Sequence, residues 1–173
     1  MDYYKSLILR IAIPFIISYE ILQKIIFYLT INITILSLNI INKDVFLIDD
    51  SISYNGLFVK LIPACAAASA YYLLLLLVCF TKDIGLNKRL KIFFYGSLII
   101  FIINTIRIIF LIIVLDKHSY NLFKTIHLFF WSVIASILVA GIWIYFIKRY
   151  KIRSIPIYSD LKYLLKRIIK HIH

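Results

Sequence analysis

Between Ile92 and Leu115 the chain reads IFFYGSLIIFIINTIRIIFLIIVL, an apolar run whose one charge is Arg107. At 1.5 Å per residue this run is long enough to cross the roughly 30 Å hydrocarbon core of a bilayer. A guanidinium held inside it costs from about 2.5 to above 10 kcal/mol. The rest of the chain must therefore bring Arg107 a polar or anionic partner.

Composition places the remaining segments in the same solvent. Hydrophobic residues make up 63% of the 173 residues and the mean hydropathy is +0.95, more apolar surface than a soluble core of this size encloses. Residues 64–81 and 126–147 qualify as spans alongside 92–115. A further span is expected over 21–41, with Glu20 and Lys24 paired four residues apart at its inner end. Pro14 and these charges break the first 41 residues, so 1–20 reads as an interfacial or tilted N-terminal segment. No small-residue cleavage site follows it, which argues against a secretory signal. The expected class is an all-α polytopic membrane protein, a single integral-membrane domain over 1–173 with about four transmembrane helices.

Basic residues orient these spans. Lys82, Lys88, Arg89 and Lys91 share one short loop, and 148–173 forms a basic tail; both are expected to be cytoplasmic, as is the N-terminus with Lys5 and Arg10. The net charge of +12 then serves topology and contact with anionic lipid, and no nucleic-acid partner is expected. In the tail Ile157, Leu161, Leu164, Leu165, Ile168, Ile169 and Ile172 fall on one helical stripe, so an amphipathic helix on the inner leaflet is expected. His171 and His173 lack a third ligand, and neither a metal nor an organic cofactor is expected. On the outer side, 42–63 carries turn signals at Asp49-Asp50 and Asn55-Gly56 and predicts a short extended segment or β-hairpin. Asn32-Ile33-Thr34 matches a glycosylation pattern but lies within a span.

With this orientation three spans each carry one reactive side chain to the outer half of the membrane. Cys65 opens the second span, Arg107 lies about 12 Å below the outer end of the third, and His127 lies near the outer start of the fourth. A cation beside a thiol favours the thiolate, the nucleophilic form. The set therefore suits acyl transfer: Cys65 as nucleophile, His127 as general acid and base, and Arg107 as stabiliser of the thiolate or oxyanion. Asn104, one turn before Arg107, would orient it. The small residues Ala64 to Ala70, Ser69 among them, allow close helix approach. Cys79 lies about 21 Å from Cys65 along one helix, too far for a disulfide, and reads as packing.

The order Pro63-x-Cys65, Asn104-x-x-Arg107-Ile108 and His127 on successive spans resembles the exosortase/archaeosortase family of membrane transpeptidases, and PACAAASAYYLLL is similar to its small archaeal members. The likeness covers about Val45 to Ala140. It implies a sorting enzyme that cleaves secreted proteins near a C-terminal signature followed by a transmembrane helix and a basic cluster. It further implies transfer of the new C-terminus to an acceptor, a membrane lipid in the archaeal case, with Cys65, Arg107 and His127 as the catalytic set. Many members have Ser or Thr and then Gly after the cysteine, where this chain has Ala66 and Ala67. The rival reading is a non-catalytic membrane scaffold or accessory subunit whose Arg107 binds a partner helix; a transporter is disfavoured because the chain has no inverted repeat.

Overall fold

In the computed structural model, residues 3–41, 45–48, 51–152, 154 and 156–172 are described. Seven α-helices and one small sheet make up the described residues. Helix α1 (Tyr3–Ile16) and α2 (Tyr19–Ile41) are separated by a break at Ile17-Ser18, and Pro14 sits inside the last turn of α1. Strands β1 (Phe46–Ile48), β2 (Ser51–Tyr54) and β3 (Leu57–Lys60) follow. A 3-10 turn over Pro63–Ala66 then leads into α3 (Ala68–Phe80) and α4 (Leu86–Lys117). The last rod joins α5 (Tyr120–Phe129), a π-helical turn at Phe130–Ile134 and α6 (Ala135–Arg149) without a gap, before α7 (Tyr158–Ile172).

Two of these helices, α2 and α4, are long and apolar enough to cross a membrane. The other two expected spans differ from their sequence outline. Helix α3 is 13 residues long, about 20 Å, because the backbone breaks at Ala67 before it. Residues 126–147 fall within the α5–α6 rod, whose helical hydrogen bonding changes register at the π turn.

The sheet is antiparallel in the order β1-β2-β3, one strand more than a hairpin. Asn55 and Gly56 both take positive φ, 50° and 80°, the type I′ geometry that a two-residue hairpin turn requires. Asp49-Asp50, the other expected turn, lies outside the described residues. Ile52 and Tyr54 bury one sheet face with Leu38 of α2 and Ile108 and Ile112 of α4. Asn55 also donates to the Asp116 carboxylate at the end of α4, 3.1 Å.

Helices α3, α4 and α6 meet in a second apolar cluster around Leu74, Ile100 and Val139. Gly96 permits this approach: a Cβ there would lie 2.6 Å from a Leu74 methyl and 3.2 Å from an Ile142 methyl. At the far end from the sheet, Arg89 of α4 closes the C-terminus of α3. Its guanidinium donates to the carbonyls of Val78, Cys79 (3.0 Å), Thr81 (2.7 Å) and Ile84 (2.9 Å). Helix α3 ends without a cap of its own, so this arginine satisfies carbonyls that would otherwise be orphaned.

The tail docks at this same end. Arg10 of α1 and Asp160 of α7 form a buried bidentate pair, 3.2 and 3.3 Å. Ile157 N–H donates to the Phe80 carbonyl, and Ser154 donates to Asp83. Removing one member of a buried pair leaves the other charge desolvated, at about 3–5 kcal/mol. We expect Arg10→Leu to release the tail to trypsin, with Arg10→Leu/Asp160→Leu restoring most of the protection; equal cleavage of both variants would show that the pair does not hold α7.

Candidate functional site

Pro63 opens the 3-10 turn, where its missing N–H costs nothing, and Cys65 N–H donates to the Ile62 carbonyl at 2.8 Å. Ala67 then turns left-handed, φ 54° and ψ 35°, so Cys65 sits on a separate turn ahead of α3 and not on the span's first helical turn. A left-handed alanine is strained by roughly 1–2 kcal/mol.

The break leaves the Cys65 carbonyl for side-chain donors, and α4 supplies two. Asn104 Nδ2 donates to it at 3.0 Å and Arg107 Nη2 at 3.3 Å. Both α4 side chains are buried, Arg107 at 6% exposure. Asn104 therefore shares an acceptor with Arg107 and does not orient it directly. The polar partner that Arg107 needs is a main-chain carbonyl, not an anion.

Arg107 lies within electrostatic reach of both the Cys65 thiol and the His127 imidazole, while neither Cys65 nor His127 lines the described cavities that adjoin Arg107. His127 comes from the last turn of α5, stacked on Phe123 with ring centroids 5.7 Å apart. Among the described residues, Arg107 Nε and His127 Nδ1 are both buried with no hydrogen-bond partner. Five other buried side-chain atoms, on Thr34, Tyr71, Ser97, Thr105 and Trp143, are likewise without a partner, so what sets Arg107 Nε apart is its place beside the Cys65 turn.

Two cavities adjoin Arg107. One, of about 190 Å³, is lined by Ala67, Ser69, Ala70, Ala135 and Ser136; a smaller one lies between Asn104, Phe130 and Ile134. Ser69 and Arg107 both line the larger of these cavities. Tyr72, which a continuous helix would place on the Cys65 face, instead donates to the Pro14 carbonyl at 2.8 Å. Ser136 and the π turn escaped sequence reasoning, since neither residue type nor spacing marks them. No protein-family model matches the chain, and no curated protein or solved structure matches it.

Glycine takes left-handed φ without a Cβ penalty but loses more freedom on folding. We expect Ala67→Gly to raise stability by about 0.5–1 kcal/mol in detergent unfolding; a drop would mean that Ala67 is not strained.

Proposed function

We propose that this chain is a four-span membrane cysteine transpeptidase of the exosortase/archaeosortase type. It cleaves C-terminal sorting signals of secreted proteins and passes the new C-terminus to an acceptor, a membrane lipid. The observation that carries this reading is the hold of Arg107 on the Cys65 turn, with Arg107 Nε, like His127 Nδ1, left without a hydrogen-bond partner among the described residues.

In this reading the α2 and α4 spans are joined by the α5–α6 rod and by α3 with its preceding turn. Outward-facing side chains such as Phe94, Ile102, Ile137 and Ile144 are exposed, as lipid contact requires. Lys82, in the turn between α3 and α4, and Lys88, Arg89 and Lys91, in the first turns of α4 and not in the loop the sequence suggested, lie at the tail-docking end, so both termini are assigned to the cytoplasm and the sheet to the outer face. Non-helical backbone at membrane depth persists only where protein satisfies it, and Asn104 and Arg107 do this for Cys65.

The chemistry proceeds without redox change. His127 takes the thiol proton, and the Cys65 sulfur adds to the scissile carbonyl carbon, whose oxygen becomes an oxyanion beside Arg107. Collapse breaks the C–N bond; His127 returns the proton to the leaving amine and a thioester remains. The acceptor's hydroxyl or amine then attacks the thioester, its proton passes to the sulfur by way of His127, and the thiol is restored.

The bond from Arg107 to a main-chain carbonyl also favours one rival, a scaffold in which Arg107 only staples α4 to the turn. C-terminal peptide mapping of the host's surface proteins separates the two. With the unmodified chain we expect proteins with basic-tailed C-terminal helices to be trimmed. Cys65→Ser and Arg107→Ala should each abolish trimming while the protein remains in the membrane. Full trimming in Cys65→Ser would sink the thiol mechanism; an Arg107→Ala variant that dissolves an assembly while Cys65 is dispensable would favour the scaffold.

A further inference from the structure

Strand β3 has a direction relative to the candidate site. It starts at the Asn55-Gly56 turn, tied to Asp116 of α4, and leads through residues 61–64 to Cys65, tied to Asn104 and Arg107 of the same helix. From Asp116 back to Arg107 is about 13 Å along α4. The strand therefore descends beside α4 toward the cysteine.

Its outer edge is open in a defined register. The two-residue turn makes Tyr54 and Leu57 a hydrogen-bonded pair, and alternation makes Ile52 and Val59 the next. Phe58 and Lys60 consequently aim their N–H and C=O groups away from β2. No strand lies beyond β3 in the sheet order, and among the described residues no backbone bond from outside the sheet reaches either residue. Edge strands are normally blunted by proline, bulges, charged side chains, short length or a cover; β3 is four residues long, carries neither a proline nor a bulge, and has Lys60 as its one charged residue. The opposite edge, on β1, does not lead to Cys65.

We propose that the outer edge of β3 receives the extended segment preceding the substrate's scissile bond as a parallel fourth strand, which brings the scissile carbonyl to Cys65. This rests on the sorting-enzyme reading. Two observations select that occupant over another protein surface. A chain whose C-terminal helix enters the membrane from the outer face runs from outside to inside, the direction of β3. An extended backbone nearing lipid must also have its amides satisfied, and the Phe58 and Lys60 groups supply partners in a row that ends five residues before the cysteine. Main-chain pairing of this kind holds the segment whatever its sequence, leaving selectivity to alternate side chains.

Proline tests the edge because it deletes one N–H. Lys60→Pro and Phe58→Pro each remove an outward group and leave the β2–β3 ladder whole, whereas Val59→Pro removes an inward one and controls for folding. Processing is read by C-terminal mapping in host cells, and the state of the thiol by iodoacetamide alkylation of Cys65. We expect Lys60→Pro to cut processing by about two- to ten-fold, the loss of one main-chain hydrogen bond. Cys65 alkylation should match the unmodified chain, and Lys60→Ala, which keeps the N–H, should lose less processing than Lys60→Pro. Normal processing in both Lys60→Pro and Phe58→Pro would overturn the proposal while leaving the thiol mechanism in place; normal processing in Cys65→Ser removes the sorting reading itself. Should a proline variant lose abundance, a substrate segment found by the mapping is synthesised with N-methyl amides at successive residues before the cut. Sensitivity at every second residue is expected with the unmodified enzyme, and uniform tolerance overturns the pairing.

Discussion

The carbonyl of Cys65 is the acceptor on which the centre of this molecule depends. The left-handed turn at Ala67 separates the cysteine's turn from α3, and Asn104 and Arg107 both donate to the oxygen. One interaction thus answers two costs. It gives a buried guanidinium a polar partner and satisfies irregular backbone inside an apolar bundle. It also fixes where the thiol stands relative to α4 and leaves Arg107 Nε for a further partner.

The two ends of the bundle are organised by different means. At the sheet end, apolar burial of Ile52 and Tyr54 against α2 and α4 sets the hairpin beside the last turns of α4. At the other end charge does the work: Arg89 closes α3, and the Arg10–Asp160 pair fastens the tail helix across the start of the chain. Between them the Gly96 contact lets α3, α4 and α6 approach closely, and cavities open between the same helices beside Arg107. Arg89 and Arg10 both contribute to the charge bias used for orientation, yet each also has a fixed structural partner. An excess of basic residues can therefore serve topology and packing at once.

The predominantly helical fold, the small sheet and the Asn55-Gly56 turn were legible because hydrophobic run length and turn chemistry are local signals. Helix α3 was misjudged in length because Ala67 carries no sign that its φ is positive; alanine is a strong helix former and only the tertiary contacts of Cys65 override it. The π turn was hidden for a similar reason, since its residues are ordinary helix residues. The Arg10–Asp160 pair had a usable signal: Asp160 is the sole acidic residue of the tail. For the site, run length and basic-residue bias led to the expectation that Cys65, Arg107 and His127 share the outer half of the membrane, but helical phase alone could not have indicated that Arg107 would reach the cysteine through its carbonyl.

Formation of a covalent acyl intermediate on Cys65 is open to a direct test by intact-mass spectrometry of the protein purified from its host after acid quench. The account predicts a mass adduct on Cys65 that hydroxylamine removes and that is absent from Cys65→Ser. An unmodified Cys65 in preparations that are trimming substrate would contradict it.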